Sequence, residues 1–119
     1  MANYSEQLTA LHNTLDGAIA VMLLDADSGL SLAHVGGNEQ TEIVGAGITQ
    51  FTSLFNTTME KLGYPHIEEN TFTIGDQLQV MYRLAKRPSV YLLAIVDRRR
   101  SNLGAARVQT KQAAAIIEI

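Results

Sequence analysis

EQTEIVGAGITQFTSLFNTTMEKLGY, residues 39–64, reads as one long helix with more apolar surface than a single core contact requires. At ~100° per residue, Ile43, Val44, Gly47, Ile48, Phe51, Leu54, Phe55, Met59 and Leu62 fill an arc of roughly 160°, whereas an ordinary surface helix needs only ~100°. Such an arc calls for two buried neighbours. Gly47 lies inside it with Gly45 and Ala46 beside it, so the first two turns lack bulk that would hold another backbone away. A mid-helix glycine costs ~1 kcal/mol relative to alanine, and close packing against the same helix of a second chain would offset that cost. The alternative is a helix sunk deep in its own domain.

Working outward from this helix, its ends are well marked. Asn38 is the expected N-cap after Gly36 and Gly37, while Lys61, Gly63 and Pro65 supply a C-terminal charge, a left-handed residue and a stop. Upstream, Asn3 and Glu6 have capping-box spacing and Tyr4, Leu8, Leu11 and Leu15 recur at 4, 3 and 4, which predicts a first helix ending at Gly17. AIAVMLLD, residues 18–25, is an unbroken apolar run that fits a central strand buried on both faces. LSLAHV, residues 30–35, follows DADSG as its hairpin partner.

Downstream, HIEENTFTI and QLQVMYRL flank Gly75 and Asp76, the Gly-first pair that a type II′ hairpin turn demands. This fixes a register with Ile74 opposite Gln77, Phe72 opposite Gln79 and Glu68 opposite Arg83, leaving Leu78, Val80, Tyr82 and Leu84 on the other face. VYLLAIVD, residues 90–97, is a second central strand, and a last helix from about Ser101 presents Leu103, Ala106, Ala113, Ala114 and Ile117 on one side. The element order is α-β-β-α-β-β-β-α. Polarity places the strand carrying Glu68, Glu69 and Asn70 at an edge. Its second part, Thr71, Phe72, Thr73 and Ile74, could pair with itself: antiparallel pairing about Thr71 sets Glu69 against Thr73 and Glu68 against Ile74, so no carboxylates collide.

The 119 residues, 46% hydrophobic and 18% charged, fit one domain covering 1–119 and rule out a predominantly disordered chain. A net charge of −3 argues against nucleic-acid binding. With no cysteine, a disulfide framework, thiolate nucleophile or cysteine zinc site cannot exist. The first residues are polar and unlike a signal peptide, and no apolar run reaches the ~18 residues of a membrane helix, so a cytoplasmic protein without membrane insertion is expected.

No catalytic constellation emerges. Asp25, Asp27 and Gly29 resemble the start of a calcium loop, but Gly29 falls one position early and Gly36 stands where the bidentate Glu belongs. Gly45, Ala46 and Gly47 begin like a GxGxxG phosphate loop, yet Gln50 replaces the third glycine and the stretch lies inside a helix. His12, His34 and His66 fall on different elements without zinc spacing, and Asn56-Thr57-Thr58 is a sequon in a chain without a secretion signal. The expectation is therefore no catalytic residue, cofactor or metal. Arg98, Arg99 and Arg100 stand before a helix whose dipole opposes them, which makes them a candidate contact for an acidic partner, unless they extend into solvent or pair with Asp97.

Two segments, LDGAIAVMLLDADSGLSLAHVGG at 15–37 and VYLLAIVDRRRSNLGAARVQTKQ at 90–112, together with the long helix, make the chain resemble the Roadblock family of dynein light chains and bacterial small-GTPase regulators. The likeness rests on order and spacing, including Leu93, Ala94, Val96, Asn102, Leu103, Gly104 and Arg107; DADSG is more acidic and RRR more basic than the family pattern. The resemblance implies an α/β sandwich with a five-stranded mixed, mainly antiparallel sheet, the long helix on one face and both terminal helices on the other. It further implies a homodimer formed through the long helix and the adjacent edge strand. Family members act without characteristic chemistry of their own, binding small Ras-like GTPases or scaffolding signalling complexes, and some stimulate GTP hydrolysis by repositioning the GTPase's residues. The expected dimer or partner interface comprises Ile43, Val44, Gly47, Ile48, Phe51, Phe55, Thr71, Phe72 and Thr73. The competing reading is a small-molecule sensor with a pocket between helix and sheet.

Overall fold

The computed structural model describes residues 3–119 and contains α1 (Tyr4–Thr14), β1 (Ala18–Asp25), β2 (Leu30–Gly36), α2 (Glu39–Lys61), β3 (Glu69–Ile74), β4 (Gln77–Arg83), β5 (Val90–Asp97) and α3 (Leu103–Ile116). The strands form one sheet in the order β2-β1-β5-β4-β3. All four pairings are antiparallel, which corrects the expected mixed sheet: short connections join β1 to β2, β3 to β4 and β4 to β5, and the α2 crossover carries the chain from one sheet edge to the other, so that β5 returns antiparallel to β1.

Strand composition explains the layering. The most apolar strands, β1 and β5, sit inside the sheet and contribute to cores on both faces. On one face Val21, Leu23, Val80, Leu92, Ala94 and Val96 pack against Leu8 and Leu11 of α1 and Ala106 and Ala114 of α3. On the other, Met22, Leu24, Met81, Tyr91, Leu93 and Ile95 meet Ile48 of α2. Each fully buried Leu or Met side chain contributes about 1.5–3 kcal/mol relative to exposure.

Helix starts follow the caps. The side chains of Asn3, Asn38 and Asn102 accept hydrogen bonds from backbone N–H groups of the first turns. Helix α1 stops at Thr14, short of Gly17, whose φ of +70° serves the turn into β1 instead. Similarly, α2 ends at Lys61 with Gly63 at φ +78° just beyond its cap. Gly75 has φ +56° and Asp76 is not left-handed, so the β3–β4 turn has the expected Gly-first conformation, with Ile74 opposite Gln77 and Phe72 opposite Gln79. Arg83 N–H donates to Glu68 O, extending that register beyond the strand. Leu103 departs from the expected core side of α3 and is 40% exposed, because the helix begins only there and Ala106 is the first residue to face the sheet.

The exposed face of α2 and the β3 edge

Helix α2 covers its side of the sheet with an unexpected stripe. Thr41, Gly45, Ile48, Thr49, Thr52 and Asn56 are buried, and five of these six are not large hydrophobics. The apolar arc is turned away: Ile43 is 72% exposed and Leu54 70%, while Phe51, Phe55 and Leu62 are also exposed. At ~100° per residue, the arc from Ile43 to Phe55 lies roughly 130° around the helix from the buried stripe. Of the expected interface residues on α2, only Ile48 is buried in the chain's own core, whereas Ile43, Gly47, Phe51 and Phe55 are open and Val44 is half-buried.

Threonine can occupy the buried stripe because its hydroxyl is satisfied within the helix. Thr49 Oγ1 donates to Gly45 O at 2.7 Å and Thr52 Oγ1 to Ile48 O at 2.8 Å, which removes most of the cost of burying the groups. Gly45, rather than Gly47, is the close-approach glycine: a Cβ there would lie 2.6 Å from Met22 Cε, whereas one at Gly47 would meet nothing within 4 Å.

At its C-terminal half, α2 is held by a buried polar knot. Asn56 Nδ2 donates to Tyr91 Oη at 3.2 Å, Asn56 Oδ1 accepts from Ile67 N–H at 2.8 Å, and Tyr91 Oη donates to Ile67 O at 2.6 Å. Burial pushes the Tyr91 hydroxyl pKa up, with the Asn56 hydrogen bond partly opposing it. The knot fixes the connector entering β3 against α2, so helix and edge strand keep one relative position.

Between these elements runs an apolar groove of about 390 Å³ lined by Val44, Gly47, Ile48, Phe51, Phe72 and Ile74. Phe51 spans it, stacking with Phe55 at 5.9 Å and meeting Phe72 edge-on at 5.6 Å. Phe72 therefore lies on the α2 side of β3. Thr71 and Thr73 pair with Val80 and Leu78 and point to the opposite side.

Because Ile74 and Gln77 flank a two-residue turn, alternate residues Ile74, Phe72 and Asn70 direct their backbone bonds to β4. The N–H and C=O groups of Thr71 and Thr73 consequently point off the sheet. Thr71 N–H is capped at 2.9 Å by the side-chain oxygen of Asn70, a local contact no residue pattern had indicated.

The arginine run lies outside this surface, in the turn before α3. Arg99 makes a two-pronged contact with Asp97 and a longer one of 3.7 Å with Asp76. Its guanidinium holds the Asp97 carboxyl below the usual carboxylate range. The structure thus realises the Asp97 pairing for Arg99, while Arg98 and Arg100 make no ion pair among the described residues. His12, His34 and His66 stay apart, with His34 4.0 Å from Glu42 and His66 paired with Glu60. Among the described residues no group of three or more His, Asp or Glu side chains could hold a metal ion, and no helix is long and apolar enough to cross a membrane.

One long helix on one face of a five-stranded antiparallel sheet, and two terminal helices on the other, define an α/β sandwich whose edges are β2 and β3, with the bare flank of α2 lying beside the β3 edge. The same arrangement occurs in solved structures. Myxococcus xanthus MglB aligns with 91% of this chain and 83% of its own at 22% identity and a TM-score of 0.69. The gliding protein MglB of Thermus thermophilus covers 92% and 82% at 16% identity and 0.76. A Roadblock/LC7 domain from Streptomyces avermitilis covers 95% and 92% at 12% identity and 0.76. No family model matches the sequence, and no curated protein matches it. The chain has the Roadblock fold.

Proposed function

We propose that this chain, as a single domain over residues 1–119, is a non-enzymatic homodimeric module that docks and regulates a small Ras-like GTPase or scaffolds a signalling complex. The observation carrying this reading is the continuous apolar surface from Ile43 and Leu54 through Phe51 to Phe72 at the open edge of β3. Exposed apolar surface of this kind marks an interaction site. Antiparallel pairing of two β3 edges about Thr71 would bring Thr71 and Thr73 backbone groups into register and lay the two α2 helices side by side. Val44, Gly47, Phe51, Phe55 and Phe72 would then be shared between copies. Ile43 and Leu54, nearest the outward side of α2, would remain for a partner, with Arg98 and Arg100 available to its acidic groups.

The similarity of fold to two MglB proteins supports a regulatory rather than catalytic role. The test is capture of Ras-like GTPases encoded beside this gene, loaded with GTP or GDP, by wild-type protein and by Leu54→Asp. Binding of one loaded form, lost in Leu54→Asp with the dimer intact, is expected; a dimer that captures none contradicts the GTPase assignment.

The same groove also suits the sensor reading, since Val44, Gly47, Ile48, Phe51 and Phe72 could receive a small apolar ligand. A ligand that raises Tm in a chain that remains monomeric would favour that reading.

A further inference from the structure

The outward residues of β3 carry an acceptor at one end and donors along the rest. Arg83 N–H donates to Glu68 O, and Asn70, Phe72 and Ile74 continue the bonding to β4, so Glu69, Thr71 and Thr73 hold the N–H and C=O groups that point off the sheet. Their side chains are exposed and lie on the face opposite α2, with Tyr82, Val80 and Leu78 as cross-strand neighbours. Helix α3 reaches one of them. Arg107 Nη2 donates to Glu69 Oε1 at 2.9 Å, and Arg107 Nε donates to Tyr82 Oη at 3.4 Å. The guanidinium is thus tied at two points, and Glu69 Oε2 remains open at the sheet edge.

Two copies of one strand related by a two-fold axis bond best where outward residues oppose outward residues. About Thr71, Glu69 opposes Thr73 of the second copy, Thr71 opposes itself and Thr73 opposes Glu69, so every outward residue has a counterpart. The neighbouring registers do worse. An axis at Asn70 sets Thr73 against Ile67, outside the strand, and one at Phe72 sets Glu69 against Gly75 in the turn. Centring on Thr73 runs both Glu69 and Thr71 past the strand end, and centring on Glu69 sets carboxylate against carboxylate, a repulsive cross-strand pair.

We propose that Glu69 and Thr73 form the cross-strand contact by which this chain selects a second copy in the Thr71 register, with Arg107 as the positioning residue behind it. The inference rests on the homodimer proposed above. Thr73 Oγ1 of the second copy donates to Glu69 Oε2 while Arg107 keeps Oε1, and the two-fold axis makes the contact twice. A hydrogen bond to an ionised acceptor is the stronger kind. Arg107 also keeps the carboxylate paired as the second copy removes water from it, whereas an unpaired carboxylate would oppose association. A strand that brings a carboxylate to that position is rejected.

The chain has no cysteine, so introduced thiols report the register alone. Residues directly opposed in a hydrogen-bonded antiparallel pair lie ~5.5 Å apart at Cα, within disulfide reach. Under mild oxidation Thr71→Cys should crosslink with itself, and Glu69→Cys should crosslink with Thr73→Cys when the two are mixed. Thr73→Cys alone should not, because its two copies are ~13 Å apart along the strands. By sedimentation equilibrium, Arg107→Gln and Thr73→Val should each weaken the dimer about fivefold. Combining them should weaken it little further, a coupling that a merely structural Arg107 would not produce. Thr73→Lys should restore the Arg107→Gln dimer, since the second copy then supplies the cation beside Glu69. Additive losses, an Arg107→Gln dimer as tight as wild type, or self-crosslinking of Thr73→Cys would overturn this contact while leaving the dimer standing. A wild-type chain that stays monomeric overturns the dimer and this contact with it.

Discussion

The ring of Phe51 on α2 meets the ring of Phe72 on β3 at 5.6 Å and 77°, joining the helix flank to the open strand edge as one surface. Phe51 is 42% exposed even with this contact. Phe72→Lys should therefore weaken the dimer about tenfold or more, while costing the monomer only about 1 kcal/mol. Sedimentation set against urea titration measures both. Equal losses in the two would mean that Phe72 serves only the chain's own packing.

Gly45 and Gly47, two residues apart, should respond oppositely to the same change. Leu at 45 must displace Met22 and Leu24 beneath the helix, a cost of about 1–3 kcal/mol for overpacking. Leu at 47 enters open space and removes a helix glycine, stabilising the monomer by about 0.5–1 kcal/mol. In the dimer, however, that side chain fills the groove beside Val44 and Phe51 and should weaken association. Urea titration at low concentration that finds Gly47→Leu as damaging as Gly45→Leu would contradict this assignment.

Asn70 guards the edge by accepting from Thr71 N–H, the group that self-pairing must use. Asn70→Ala frees that donor and should tighten the dimer about three- to fivefold, with monomer stability changed by no more than ~0.5 kcal/mol. Dilution series by sedimentation equilibrium provide the readout. A weaker dimer would show that Thr71 N–H does not cross the interface.

The Asn56–Tyr91–Ile67 knot should be costly to break. Asn56→Ala strands Ile67 N–H and removes the Tyr91 partner, which predicts a loss of about 2–3 kcal/mol. Tyr91→Phe in the same background should cost less than it does alone, a coupling of ~0.5–3 kcal/mol in a double-mutant cycle. The pH dependence follows from the raised Tyr91 pKa, caused chiefly by burial. A raised tyrosine contributes stability that is complete below its unfolded value of ~10 and is lost as pH rises through the higher folded value. Chemical denaturation across this alkaline range should show a decline that Tyr91→Phe reduces; identical declines would assign the effect elsewhere.

Much of this architecture was legible because it is local. Asn38 and Gly63 bound α2, Gly75 with Asp76 fixes the β3–β4 register, and the unbroken apolar runs identify β1 and β5 as inner strands. The orientation of α2 was not legible, since the wide apolar arc suggested a core face while Thr41, Thr49, Thr52 and Asn56 looked polar. Internal hydroxyl bonds make Thr49 and Thr52 acceptable beneath the helix, Thr41 accepts from the Asn38 N–H, and the long side chains of Met22 and Met81 supply the apolar contact from the sheet. The repeat of small residues at Thr41, Gly45, Thr49 and Thr52 is the signal that could have revealed the stripe. The Asn70 cap was not legible because an edge cap depends on which backbone groups point off the sheet.

Sedimentation velocity of the wild-type protein from about 1 to 50 μM tests most directly whether the outward flank of α2 is covered by a twin. The expected result is a dimer across most of that range, corresponding to an association free energy of about −8 kcal/mol or stronger. A single monomeric species throughout would contradict the account.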